Sequence, residues 1–103
     1  MFASVAKFRF NRPLTNADFE INERVLVPSL KSQPGYQGYF ELSVGERESI
    51  SITLWASRSD AEQGLAAIRP QLMDLVGSDM DGPPERSFGE VRYADPPRSN
   101  ARL

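Results

Sequence analysis

The side chains of this sequence that could do chemistry are hydrogen-bond donors and charges, because the chain contains no cysteine and no histidine. Thiolate nucleophiles, serine–histidine pairs, disulfides and Cys/His zinc sites are therefore excluded. The candidate site residues are Asn11, Tyr36, Tyr39, Trp55 and Arg69. Trp55 can donate an indole N–H and Asn11 an amide N–H, while the two tyrosines and Arg69 could add donors or fix a charge.

Each of these residues also has an ordinary structural interpretation. Trp55 could be a packed aromatic side chain at a strand–helix junction, and Asn11, close before a proline, could be a turn residue. Tyr39 could serve packing with its hydroxyl satisfied, and Arg69 could be a solvated charge on a helix. The choice between the two interpretations depends on the elements that position these residues.

A strand followed by a helix forms the best-defined part of the sequence. Residues 50–55 alternate between apolar and other side chains, which predicts a strand with two unlike faces. Ser59 stands three residues before Glu62, which predicts a capping box for a helix over residues 60–76. The apolar stripe of this helix consists of Ala61, Leu65, Ile68, Leu72 and Leu75. Its spacing is that of one helical face.

The rest of the sequence predicts three further strands and one further helix. The strands are expected at residues 2–10, 38–44 and 86–93. The helix starts from a cap at Thr15 or Asn16 and runs to about Lys31. Its buried side is predicted to hold Phe19, Ile21, Val25 and Leu26. Pro28 and Pro70 interrupt the two helices and predict a kink in each.

The element order β-α-β-β-α-β predicts an α+β fold of the ferredoxin-like type, an antiparallel sheet with two helices on one face. We expect a single domain over residues 1–93 and a flexible C-terminal tail over residues 94–103. The sheet face predicted to meet the helices holds Phe8, Phe10, Phe40, Leu42, Ile50, Ile52 and Leu54. The opposite face is predicted to hold Val5, Tyr39, Ser51, Thr53 and Trp55, beside Lys7 and Glu41.

That opposite face is too aromatic for plain solvent surface and too polar for a monomer core. A second copy of the sheet packed against it would explain both properties, so the sequence predicts a homodimer formed through this sheet face. The alternative is a half-exposed sheet with scattered aromatic side chains, which is common in monomers.

Charge and hydropathy exclude several classes of partner. The formal net charge is −2, with acids and bases interspersed, which argues against nucleic-acid binding and against a polybasic membrane anchor. No apolar run approaches the roughly 20 residues of a membrane span, and the N-terminus lacks a signal-peptide profile. We therefore expect a cytoplasmic protein. Without a glycine-rich phosphate loop or a clustered Asp/Glu site, we also expect no metal, flavin or haem.

Three features of the sequence resemble the antibiotic biosynthesis monooxygenase-type domains of the dimeric α/β-barrel superfamily. They are the order of elements, the segment Gln33-Pro34-Gly35-Tyr36-Gln37-Gly38-Tyr39 leading into the second strand, and the segment Thr53-Leu54-Trp55-Ala56-Ser57 leading into the second helix. The resemblance covers roughly residues 2–93. The superfamily includes cofactor-free quinone-forming monooxygenases, haem-degrading oxygenases, isomerases and decarboxylases.

The resemblance implies roles for two of the candidate residues. Trp55 occupies the place of a tryptophan that lines the pocket in several members, and Asn11 fits that of an asparagine near the end of the first strand. The haem-degrading branch also needs a histidine on the second helix, where this chain has Leu65. The resemblance therefore implies a cofactor-independent monooxygenase acting on phenolic or polyketide-like small molecules, in which Asn11 and Trp55 are catalytic and stabilise a substrate anion.

A second functional class stays open beside this one. The chain could be a non-catalytic dimeric domain that binds a small apolar ligand or serves assembly. Asn11 and Trp55 converging on a buried pocket would favour the enzyme. A space between sheet and helices filled by Phe19, Leu65 and Ile68 would favour the binding domain.

Overall fold

The computed structural model describes residues 1–95, in which an antiparallel sheet of four strands carries two α-helices on one face. The elements are β1 (Phe2–Arg9), α1 (Asn16–Lys31), β2 (Tyr36–Gly45), β3 (Glu48–Trp55), α2 (Arg58–Val76) and β4 (Glu85–Glu90), with a 3-10 turn at Gly77–Asp79. The strand order is β2-β3-β1-β4. The predicted ferredoxin-like fold is thereby confirmed. The domain limits stay predictions, and residues 96–103 of the predicted tail lie outside the described part.

Both helices begin at side-chain caps, one of them two residues earlier than predicted. At α1 the Thr15 hydroxyl accepts a hydrogen bond from the Asp18 amide, and the Asp18 carboxylate accepts one from the Thr15 amide at 2.7 Å, which completes a capping box. At α2 the cap is Ser57, which accepts from the Asp60 amide at 3.1 Å. The predicted cap, Ser59, lies inside the first turn instead, because Ser57 is the last extended residue and the helix begins directly after it, at Arg58.

The strand register assigns β3 to the sheet faces the opposite way from the prediction. Phe2 pairs with Trp55, and residues directly opposite each other in an antiparallel pair share a face. Because Phe8 of β1 points toward the helices and pairs with Ser49, Trp55 points toward them too. The apolar residues of β3 (Ile50, Ile52, Leu54) and of β2 (Phe40, Leu42) therefore face away from the helices. The prediction for these five residues was wrong, since period-two alternation separates two faces without saying which one the helices cover.

The core lies between the sheet and the helices in two clusters. One contains Leu30, Trp55, Ala61 and Ile68, and the other contains Ala6, Phe8 and Phe10. Leu30 was missed by the sequence analysis, and Ile21, predicted to be buried, is 41% exposed. The stripe predicted for α2 does face the core, where Ala61 and Ile68 are buried. No helix within residues 1–95 is long and apolar enough to cross a membrane.

The sheet face turned away from the helices, here called the open face, is apolar over β2 and most of β3 and charged at the end where β1 finishes and β3 begins. Its exposed apolar side chains are Val5, Phe40, Leu42 and Val44, next to the partly buried Ile50, Ile52 and Leu54. At the charged end, Glu48 accepts from Lys7 at 3.0 Å and from Arg9 at 3.5 Å. The residues predicted to form the dimer face are thus divided between two faces: Val5 and Lys7 lie on the open face, whereas Tyr39, Glu41, Ser51, Thr53 and Trp55 face the helices.

Candidate functional site

A cleft between α1 and the sheet is the candidate site. It consists of an apolar-walled cavity of about 350 Å³, a small inner cavity of about 60 Å³ and an outer one of about 510 Å³. Asn22 and Glu41 line all three cavities. We call this space the α1 cleft. A volume of roughly 300–1,000 Å³ is typical of small-molecule sites.

Helix and strand periodicity bring the two polar residues into the cleft. On α1, Asn22 lies between Phe19 and Leu26 at helical spacing, so a polar side chain takes a position on the face that packs against the sheet. On β2, Glu41 alternates in phase with Tyr39, and both therefore point toward the helices. Some side chains of β3 that face the helices are small, Ser49 among them. Room for the cleft therefore remains between this strand and α1.

Four of the polar side chains in the cleft form one hydrogen-bonded group, which we call the Asn22–Glu41 network. The Oε1 atom of Glu41 accepts from the Tyr39 hydroxyl and, at 2.7 Å, from the Ser51 hydroxyl. Asn22 Nδ2 donates to the Tyr39 hydroxyl oxygen at 3.3 Å. Asn22 Oδ1 is buried and has no hydrogen-bond partner among the described residues. A buried acceptor without a donor costs free energy, so Asn22 Oδ1 locally destabilises the wall of the cleft.

Two side chains of the network, Glu41 and Tyr39, have raised pKa values. Burial raises the pKa of the Glu41 carboxyl, against the opposing effect of the hydrogen bonds from Tyr39 and Ser51. Burial, reinforced by the neighbouring Glu41 carboxylate, raises the pKa of the Tyr39 phenol. Tyr39 therefore keeps its proton at neutral pH and donates a hydrogen bond to Glu41, whose carboxylate is a stronger base than that of an exposed glutamate.

Trp55, predicted on the face turned away from the helices, lies between sheet and helices and is fully buried in the core. Its Nε1 donates to Thr53 Oγ1 at 2.8 Å, and its ring meets Tyr36 edge-on with centroids 5.9 Å apart. Burial raises the pKa of the Tyr36 phenol. The indole N–H is thus already used within β3, while Thr53 itself lines the inner cavity. In this arrangement Trp55 supports the wall of the cleft.

The structure does not bring Asn11 and Trp55 together. Asn11 follows β1, whose first residue pairs with Trp55, so the two side chains are separated by the length of the strand, roughly 25 Å. The Asn11 side chain is exposed and donates to the Ser78 carbonyl at 3.3 Å. Arg69 is exposed on α2 and lines a separate groove between α2 and the segment before β4, together with Arg86.

Of the five candidates from the sequence, only Tyr39 thus lines the α1 cleft directly. Asn22, Glu41 and Ser51 were not predicted to be site residues. A signal for Asn22 was present, because it is a polar residue on the apolar stripe of α1. Glu41 had no comparable signal, because it had been predicted on the sheet face turned away from the helices.

The α1 cleft suits an aromatic ligand that donates hydrogen bonds. Apolar walls from Phe10, Phe19 and Leu75 would contact a ring, while the Glu41 carboxylate offers an acceptor. The ion pairs between Arg12 and Asp18 (2.8 Å) and between Arg12 and Asp79 (3.1 Å) close one end of the cleft.

Comparison with known proteins relates this arrangement to solved structures. No sequence family and no curated protein matches the chain. A monooxygenase of Streptomyces coelicolor, crystallised with nanaomycin D, is 19% identical over 94% of this chain and 92% of its own, with a TM-score of 0.74. SnoaB, a cofactor-independent oxygenase from Streptomyces nogalater, is 17% identical over 93% of this chain and 97% of its own, with a TM-score of 0.71.

A protein of unknown function from Nitrosomonas europaea, NE2512, has the same fold, with 19% identity, coverage of 95% of both chains and a TM-score of 0.75. Identities this low show the fold alone. The resemblance to antibiotic biosynthesis monooxygenase-type domains is confirmed at the level of the fold, over nearly the whole of the chain.

Proposed function

We propose that this protein is a cytoplasmic, homodimeric, cofactor-independent oxygenase that acts on a hydroxylated aromatic small molecule bound in the α1 cleft. The observation that carries the proposal is the Asn22–Glu41 network, which places the partly buried, hydrogen-bonded carboxylate of Glu41 against a cavity with apolar walls. Two proteins of this fold, the monooxygenase crystallised with nanaomycin D and the oxygenase SnoaB, support the choice of reaction class.

The reaction that fits is the conversion of a hydroxyarene with a free para position into a para-quinone. One O₂ is consumed: one of its oxygen atoms enters the ring and the other leaves as water, with the substrate supplying the electrons. An electron-rich phenolate can react with O₂ itself, so the protein's tasks are to accept the phenolic proton, orient the ring and exclude water. Glu41 is the proton acceptor in this scheme, and the apolar walls of the cleft orient the ring.

Oxygen uptake by the purified protein tests the reaction. With naphthols that have a free para position and no added cofactor, we expect one O₂ consumed per quinone formed. The corresponding methyl ethers, which cannot become phenolates, should not react. Glu41→Gln keeps the shape of the side chain and removes the base, and we expect at least about a hundredfold loss of rate, at the low end of what general-base catalysis contributes. If none of the naphthols caused oxygen uptake, the oxygenase assignment would be overturned.

The alternative is a non-catalytic domain that binds a small ligand, and the small size of the inner cavity favours it. Leu65 and Ile68 line that cavity, which retains only about 60 Å³. Calorimetry detects ligand entry without relying on fluorescence, which a naphthol would itself contribute. Binding of a naphthol by calorimetry, in the absence of oxygen uptake, would identify the binding domain.

The open face supports the homodimer. Phe40 is 58% exposed on the edge strand β2, beside the exposed Leu42 on the same face, and exposed apolar patches of this kind mark association sites. A two-fold dimer would pack this face on its own copy, with roughly 1,200–2,000 Å² buried in total.

Phe40→Glu would then bury an unpaired charge, and we expect a monomer by sedimentation equilibrium at micromolar concentration where the wild type is a dimer. Met73→Glu is the matched control, because Met73 is similarly exposed (47%) but lies on α2, away from the open face. A wild-type monomer, or a dimer that Met73→Glu disrupts as strongly, would contradict the proposed interface.

A further inference from the structure

A groove that the proposed function does not use runs between α2 and the segment that leads into β4, and we call it the α2–β4 groove. Its volume is about 660 Å³, within the roughly 300–1,000 Å³ of small-molecule sites. Most of its walls are apolar. The side chains that form them include Leu65, Ile68, Leu72 and Met73 on α2 and Met80 and Pro83 opposite.

Backbone contacts hold the wall opposite α2 in place. The amide of Asp81 donates to the carbonyl of Arg9 at 2.8 Å. Next to this hydrogen bond, Phe10 and Met80 form an isolated β-bridge. Pro83 follows shortly afterwards, and its ring fixes its own φ angle. The wall is therefore anchored to the end of β1, and the groove exists before any ligand arrives.

The charges in the α2–β4 groove are positive, whereas those of the α1 cleft are mostly negative. Arg69 and Arg86 line the groove, and no acidic side chain of residues 1–95 lines it with them. Neither arginine forms a salt bridge within the described part of the chain. Four acidic side chains line the main cavity of the α1 cleft. Two uncompensated positive charges beside apolar walls attract an anion and repel a cation.

Arg86 is positioned to recognise such an anion. Its Nη1 donates to the hydroxyl of the buried Ser4 at 2.7 Å, and its guanidinium carbon lies 6.0 Å from the centre of the Phe88 ring. A guanidinium has five N–H groups, so donors remain for a ligand. Burial, and after it the positive charge of Arg69, lowers the pKa of Arg86. An anion beside both guanidinium groups would offset their repulsion.

We infer that the α2–β4 groove binds an aliphatic carboxylate, whose head group pairs with Arg69 and Arg86 and whose chain lies along the apolar walls. A planar carboxylate matches the donor fork of arginine. Methionine side chains such as Met73 adapt to a flexible apolar chain. The site is separate from the α1 cleft, because Leu65 and Ile68 line both the groove and the inner cavity and so form the wall between them. It does not depend on the oxygenase assignment.

Calorimetry with octanoate tests this inference. The comparison ligands are 1-octanol and octylamine, which share the chain, and acetate, which has the head group alone. We expect octanoate to bind at least about tenfold more tightly than each of them, because it alone engages both the arginines and the walls. Octanol binding as tightly as octanoate would overturn the inference. Octyl phosphate binding more tightly than octanoate would overturn the carboxylate as the head group.

Amide chemical shifts locate the bound octanoate. We expect the largest changes at residues 65–73 and 80–86, which form the two walls of the groove. Changes confined to residues 18–22 and 39–41, which line the α1 cleft, would overturn the site even if octanoate binds.

Substitutions on the helical wall separate charge from folding. Arg69→Met removes one charge from an exposed side chain, so octanoate affinity should fall about threefold to fivefold. Arg24→Met is the matched control, because Arg24 is also exposed but lies on α1. Met73→Glu places a carboxylate one helical turn from Arg69, where it competes with the ligand, so octanoate binding should be lost. Unchanged affinity in both groove variants, or an equal loss in Arg24→Met, would overturn the inference.

Arg86→Lys distinguishes directed hydrogen bonding from charge alone. Lysine keeps the positive charge but lacks the planar donor fork, so we expect octanoate affinity to fall about fivefold. The preference for octanoate over octylamine should persist. Unchanged affinity, with the circular dichroism spectrum intact, would overturn the role of Arg86. If the loss of the Ser4 contact unfolds this variant, the substitutions at Arg69 and Met73 still decide.

Discussion

A single added methyl group at Gly64 tests the packing of Trp55 against α2. A Cβ atom built at Gly64 lies closer than 3.0 Å to two ring carbons of Trp55, Cη2 and Cζ3, where ordinary contacts are 3.4–4 Å. The indole is fully buried between Leu30, Ala61 and Ile68, so it cannot swing out into solvent. In Gly64→Ala, ring or helix must therefore move by on the order of 1 Å, because the new atom needs normal van der Waals distance.

The expected loss of stability combines three contributions. Overpacking costs about 1–3 kcal/mol, and a 1 Å movement of the ring would break the 2.8 Å hydrogen bond from Trp55 to Thr53, worth about 1 kcal/mol. Replacing a glycine by alanine inside a helix returns about 1 kcal/mol. The net expectation for Gly64→Ala is a loss of about 2 kcal/mol in the free energy of unfolding. For a domain of this size, the melting temperature should fall by roughly 10 °C.

Urea unfolding followed by Trp55 fluorescence measures this effect directly, with an expected fall in midpoint of about 1 M. Gly77→Ala is the matched control. Gly77 ends the same helix with helical backbone angles, and its nearest neighbour is the flexible end of Met73 at 3.1 Å, so this variant should be neutral or slightly stabilised. A Gly64→Ala protein as stable as wild type would refute the packing argument, because helix propensity would then outweigh the contact with Trp55.

Three further predictions concern caps and charges. Thr15→Ala should lower the free energy of unfolding by about 1 kcal/mol in urea titrations, since it removes the α1 cap. The Arg12 ion pair lowers the folded-state pKa of Asp18, so wild-type stability should fall as the pH drops below about 4; Arg12→Met should flatten that decline in acid-unfolding curves. Because burial raises the folded-state pKa of Glu41, wild type should lose stability as the pH rises from the ordinary glutamate pKa through the folded value. Glu41→Gln should abolish that loss in a stability–pH profile, and an unchanged profile would contradict it.

The element order and the helical core stripe were predictable because both depend on local patterns. The predicted alternation of side chains along β3 was also correct, but the pattern does not indicate which face the helices cover. The helices cover the face with Ser49, Ser51, Thr53 and Trp55, since one tryptophan fills the core beside small residues. The more apolar face was left open, where only a partner would bury it. Hydrophobicity alone therefore predicted the wrong side.

The candidate site was less predictable because it depends on the register between strands. Asn11 follows β1 and Trp55 ends β3, and these strands are antiparallel, so the two residues must lie at opposite ends of the pair. That consequence was already implicit in the predicted fold. Asn22 was detectable as a polar residue on an apolar stripe. The partnership of Glu41 with Ser51 was not, since it requires knowing that β2 and β3 pair these two positions.

The proline inside α1 gives this helix two dynamically distinct halves. Pro28 has no amide hydrogen, so the carbonyl of Arg24 lacks its usual partner along the helix. The turns before this gap carry Asn22 over the cleft, whereas Leu30 beyond it is locked against Trp55. We expect the amides of residues 20–23 to exchange with deuterium faster than those of residues 29–31. Local opening of the first half would then admit a ligand while the core around Trp55 stays closed.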